Sequence, residues 1–137
     1  MKILLITTAI FEGVVGLGLL LVPELVGSTL LNTPLDTPGG SIAARIAGVA
    51  ILSLAICCWK AYRFVSEEAA LEILTAMLFY NFATAAVLAY GGTQLGLQST
   101  LIWPAIVVHG VLGLWCAALI WRTFVKQKRP DNTGKSL

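Results

Sequence analysis

Four apolar stretches, each about as long as a bilayer is thick, constrain the fold more than any other feature. They cover residues 3–22, 41–59, 69–90 and 101–121. A helix rises ~1.5 Å per residue, so about 20 apolar residues span the ~30 Å hydrocarbon core. Backbone groups in lipid must be paired internally, and these stretches lack the alternating pattern of a β-barrel. The sequence therefore predicts an all-α integral membrane protein, an antiparallel four-helix bundle with up-down-up-down topology.

Composition agrees with this class and limits the number of domains. Charged residues make up only 12% of the 137 residues, about half of the ~25% in soluble domains. We therefore predict one four-helix transmembrane domain at residues 1–125, followed by a polar, disordered cytoplasmic tail at 126–137. The net charge of +2 is too small to indicate a nucleic acid partner.

Basic residues are distributed unevenly between the connections. Residues 23–40 and 91–100 contain no Lys or Arg, whereas eight of the nine basic residues lie before span 1, between spans 2 and 3, or after span 4. Lys and Arg are enriched on the cytoplasmic side of membrane proteins. We therefore predict a multi-pass protein of the inner (plasma) membrane, with both termini in the cytoplasm and the lipid bilayer as its main partner.

The connections carry signals for helix ends. Pro23 is expected to end the first helix, because proline cannot continue the hydrogen-bond ladder. Residues 24–31 are short and amphipathic, which favours a helical turn at the outer interface. Ser41 and Ser66 are expected to act as N-caps of the second and third long helices.

Four polar residues interrupt the apolar spans: Glu12, Arg45, Asn81 and His109. Such groups are costly in lipid and normally face the interior of a bundle. Each shares a helix face with small residues, such as Gly16 for Glu12, and small residues let helices approach closely. The pattern predicts that the four side chains converge in the central-to-outer half of the membrane.

The role of this predicted cluster stays open between two interpretations. An ion pair between Glu12 and Arg45 is feasible across a depth difference of ~8 Å, and it would make the cluster a clasp that fixes helix register. The other interpretation is a binding or proton-handling pocket. His109 is the one histidine, so ligation of haem is not expected, and no metal-ligand cluster or catalytic constellation is visible.

Several segments resemble short bacterial four-span membrane proteins of the DoxX-like and similar uncharacterised kinds. They are residues 20–26, 44–48, 80–81 and 103–109, and the most specific residues among them are Arg45, Asn81 and His109. The resemblance implies a four-helix membrane fold and, for some such families, a link to quinones or the respiratory chain. It implies no assigned activity.

Two functions follow as hypotheses. The first is a small non-catalytic protein that binds a lipid-like or quinone-like molecule among its helices, or that acts as an accessory subunit of a membrane complex, with a homodimer or larger assembly as its state. The second is a minimal transporter or proton carrier that uses Glu12 and His109 as relay groups. We favour the first, and we expect no cofactor beyond such a ligand.

Overall fold

The computed structural model describes residues 1–64 and 66–127, and all regular elements within these ranges are helices. They are α1 (Lys2–Leu21), α2 (Pro23–Leu31), α3 (Pro38–Phe64), α4 (Glu67–Gln94) and α5 (Ile102–Gln127). The four helices other than α2 are long and apolar enough to cross a membrane. Residues 126 and 127 of the expected tail continue α5, and the rest of that tail lies outside the described residues.

The short helix α2 follows α1 almost without a break. The N–H of Val22 still bonds to the carbonyl of Gly18 at 2.8 Å, and Pro23 then begins α2. Proline suits this first position because it lacks the N–H that would be unpaired there. Helix α2 has nine residues and ends at Asn32, whose φ of 52° is left-handed, a common way to end a helix.

One of the two predicted caps is wrong and the other is confirmed. Ser41 lies inside α3, which begins at Pro38, and the Thr37 hydroxyl accepts the backbone N–H three residues later at 3.1 Å. Pro38 favours this earlier start because its fixed φ already matches a first helical residue. Ser66 caps α4 as expected, since its hydroxyl accepts the N–H of Ala69 at 3.4 Å.

Helices α1 and α3 form the tightest pair in the protein. Gly13 lies near Ala55 and Gly16 lies against Gly48, so the two helices run in opposite directions. A Cβ atom on Gly48 would lie only 2.7 Å from the Gly16 carbonyl oxygen. Only glycine allows this approach, which is typical of packed helices in membrane proteins.

Helices α4 and α5 form the second pair. Gly92 lies near Ile102 and Gly113 lies against the Phe82 ring, so this pair is also antiparallel. The backbones of the two pairs approach each other much less closely than the backbones within a pair, and buried apolar side chains of both pairs fill the space between them. The described chain is therefore organised as two helical hairpins that meet along a looser junction.

The outer surface of the long helices is apolar, and polar groups lie inside. Phe79 is 78% exposed and Ile46 is 65% exposed, whereas Glu12 and Asn81 are fully buried. In a water-soluble protein charged side chains are almost never fully buried unless paired. The surface is therefore far more apolar than that of a soluble protein, and the mainly apolar interior holds these polar side chains between the helices.

Candidate functional site

Glu12 lies at the middle of α1 and is completely enclosed by protein. Its Oε2 accepts a hydrogen bond from the hydroxyl of Tyr80 on α4, with 2.9 Å between the oxygens. Its Oε1 is buried too and has no hydrogen-bond partner among the described residues. A buried polar atom left in this state costs about 1–3 kcal/mol. One oxygen of the carboxyl group is therefore available for a further interaction.

Asn81 and His109 form a second polar pair, between α4 and α5. The Asn81 Nδ2 donates to the carbonyl of Met77 at 2.8 Å, one turn earlier in the same helix. The Asn81 Oδ1 lies 2.9 Å from His109 Nδ1. Because both side chains are buried, this pair satisfies the amide of Asn81 and fixes the orientation of the imidazole ring.

Aromatic rings connect the two polar pairs. The ring of His109 meets the ring of Tyr80 edge to face, with centroids 5.8 Å apart, and it meets Phe11 of α1 in the same manner at 6.0 Å. Tyr80 thus bonds Glu12 through its hydroxyl and contacts His109 through its ring. Together these side chains form what we call the polar cluster: Glu12, Tyr80, Asn81 and His109.

The structure brings three of the four predicted residues together and leaves Arg45 apart. The guanidinium group of Arg45 donates from Nη1 to the carbonyl of Leu20. That carbonyl belongs to the last turn of α1, where carbonyl groups have no partner within the helix. Among the residues described, Arg45 forms no ion pair with Glu12, because its guanidinium group bonds to the nearer end of α1 instead.

Tyr80 is the member of the cluster that sequence reasoning did not select. The sequence carries a signal for it, because Tyr80 falls in the middle of span 3 and precedes Asn81. A tyrosine hydroxyl at that depth needs a partner, unlike one at a membrane interface. Glu12 is the carboxylate nearest the middle of a predicted span, so it was one candidate partner for Tyr80.

Clefts in the described residues lie at the ends of the helices and on the outer surfaces of α1 and α3. One shallow groove of about 400 Å³ runs along α1 and is lined by Thr7, Ile10, Phe11, Val14 and Val15. Phe11 lines this groove, and its ring also packs edge to face against the His109 ring. Within residues 1–64 and 66–127, no three His, Cys, Asp or Glu side chains are grouped as a metal site would need.

The chain was also compared with known proteins. No protein-family model, no curated protein and no solved structure matches it. The resemblance to DoxX-like proteins therefore stays a prediction, and functional reasoning depends on the geometry of the polar cluster.

Proposed function

We propose that the protein is a multi-pass protein of the inner (plasma) membrane whose four long helices cross it up-down-up-down, with both termini in the cytoplasm. The apolar outer surface supports this, because residues such as Phe79 would face acyl chains instead of water. The basic residues at the shared end of the bundle, including Lys60 and Arg122, support the orientation.

Within this bundle, we infer a non-catalytic function: the polar cluster binds the head group of a lipid-like or quinone-like molecule. The observation that carries the proposal is the unpartnered Oε1 of Glu12, which is fully buried in the middle of a helix. No water is available at that depth to satisfy it. A ligand with a polar head and an apolar tail would supply the missing interaction and fit the surrounding lipid.

The proposal is tested by purifying the protein in a mild detergent and analysing it by native mass spectrometry. A bound small molecule should co-purify with the wild type and be depleted at least tenfold in Glu12→Gln. Glu72→Gln is the matched control, because Glu72 is an exposed carboxylate on α4, about two helical turns before Tyr80. An equal loss in both variants, or a wild-type protein that is always empty, would contradict ligand binding at Glu12.

A second candidate function is the proton carrier, which is favoured by one observation. Tyr80 touches both Glu12 and His109, so a chain of protonatable groups crosses from α1 to α5. If the protein carries protons, a pH gradient should drive flux in proteoliposomes, and Glu12→Gln should abolish it. We expect instead that wild type and variant give the same flux, because the cluster is a binding site.

A further inference from the structure

The hydrogen-bond directions within the polar cluster specify which chemical group a ligand must present. We propose that the site takes a hydroxylated aromatic ring of the quinol type, whose O–H donates to Nε2 of His109, in preference to the oxidised quinone. The inference rests on the proposed function, because it concerns the same site and names the head group that the site selects.

The first step is the orientation of the Asn81 amide. The backbone carbonyl of Met77 can only accept a hydrogen bond, so the group 2.8 Å from it must be the amide nitrogen of Asn81. The amide oxygen then faces His109 Nδ1 at 2.9 Å. An amide oxygen only accepts, so His109 must carry a proton on Nδ1.

The second step concerns the other imidazole nitrogen. Asn81, a neutral residue, is the hydrogen-bond partner of the ring among the described residues, and the Glu12 carboxyl group is bonded to Tyr80 instead. A charged imidazolium would be buried without a counter-ion, which is strongly unfavourable. In the neutral ring with its proton on Nδ1, Nε2 carries a lone pair and is an acceptor. A ligand must therefore donate to it.

The third step concerns the shape of the ligand. The His109 ring lies between the edges of Phe11 and Tyr80, and aromatic rings pack well against such neighbours. Phe11 also lines the groove of about 400 Å³ on α1, whose lining is mainly apolar. A planar ring beside His109 with an aliphatic tail in this groove would match both surfaces.

Three probes with the same carbon skeleton differ only in the oxygen groups of the head: decylhydroquinone, its dimethyl ether and decylbenzoquinone. Only the first can donate a hydrogen bond from these groups. Their affinities for the protein in nanodiscs are measured under anaerobic conditions by native mass spectrometry as the probe fraction rises. One lost hydrogen bond to a buried acceptor corresponds to roughly a tenfold change in affinity. We therefore expect decylhydroquinone to bind at least about tenfold more tightly than either other probe.

Variants assign the preference to His109. His109→Phe keeps an aromatic ring but removes the acceptor, so the three probes should bind equally. If this variant does not fold, Asn81→Leu takes its place. It frees the imidazole to change tautomer and should reduce the preference for decylhydroquinone. Glu72→Gln should keep the full preference. Equal or tighter binding of the quinone by wild type, still weakened by Glu12→Gln, would overturn this inference and leave the proposed function intact. Binding of none of the probes would overturn this inference, whereas the proposed function would still be decided by whether any molecule co-purifies with the wild type and is lost in Glu12→Gln.

Discussion

Replacing Gly48 by alanine should separate the tightest helix pair in the protein. The added Cβ atom would lie 2.7 Å from both the Gly16 carbonyl oxygen and the Leu20 backbone nitrogen. That is about 0.7 Å short of the 3.4 Å at which ordinary contact begins. Both obstructing atoms belong to the backbone of α1, so no side chain can rotate away, and the two helices must move apart.

The cost of this change follows from the overlap. Forcing an extra methyl group into a well-packed interface costs about 1–3 kcal/mol, which is a factor of ~5 to ~150 in the folding equilibrium. The melting temperature of a chain of this size falls by roughly 3–5 °C per kcal/mol. Gly48→Ala should therefore melt about 3–15 °C below the wild type.

The buried cysteines provide the assay. Cys58 is 0% exposed and Cys116 is 1% exposed, whereas Cys57 lies on the surface. In a Cys57→Ala background, a thiol-reactive dye added during a thermal ramp reports unfolding through Cys58 and Cys116. The matched control is Gly110→Ala, because a Cβ atom there would meet nothing within 4 Å. It should melt at or slightly above the wild-type temperature, since alanine favours a helix by up to about 1 kcal/mol.

The two alanine variants make the outcome decisive. If both melt at the same temperature as the wild type, then α1 and α3 do not approach through Gly48 as described. If both melt lower by the same amount, then the cost comes from losing a helical glycine anywhere, and the close contact is not responsible.

Three further substitutions test individual hydrogen bonds by the same thiol assay. Tyr80→Phe leaves both oxygens of Glu12 without a partner and should lower stability by about 1–3 kcal/mol; an unchanged melt would show that the bond is absent. Arg45→Met removes the donor to the α1 end and should destabilise by a similar amount, while ligand occupancy of the folded protein stays unchanged because Arg45 lies outside the polar cluster. Ser66→Ala removes the α4 cap and should cost about 0.5–2 kcal/mol; a Ser66→Asp variant that fails to restore the melt would refute the capping role.

The inward positions of Glu12, Asn81 and His109 could be predicted because a lipid environment leaves polar groups few alternatives. Each lies in a long apolar stretch, so facing outward would strand it in hydrocarbon. Each also shares its helix face with small residues, and in the structure the Glu12 face includes Gly16, which packs directly against α3. The helical spacing of the small residues and the energetic cost of a polar group in lipid were together enough to predict which face of each helix points inward.

The partners of these residues could not be predicted in the same way. Spacing along one helix says nothing about the rotation or offset of another, so the choice between Arg45 and Tyr80 as the partner of Glu12 was undetermined. Arg45 also had a second possible partner that sequence reasoning overlooked, the carbonyl of Leu20 at the end of α1, and it bonds to that carbonyl instead of Glu12. Unpaired backbone groups at helix ends attract long cationic side chains even when a carboxylate exists elsewhere.

The position of the polar cluster suggests how a ligand could reach it. Tyr80 and Glu12 belong to different hairpins, so their hydrogen bond crosses the looser junction between α1–α3 and α4–α5. The backbones of α1 and α3 touch at Gly48, whereas the two hairpins are joined mainly through side chains, among them the buried Leu5 and Leu74. At another part of the same junction, Ser99 donates to the carbonyl of Thr29 at 2.8 Å, which ties the α4–α5 connection to α2. Because the unpartnered Oε1 of Glu12 is enclosed at this junction, we expect a ligand to reach it only when side chains of the two hairpins move apart there.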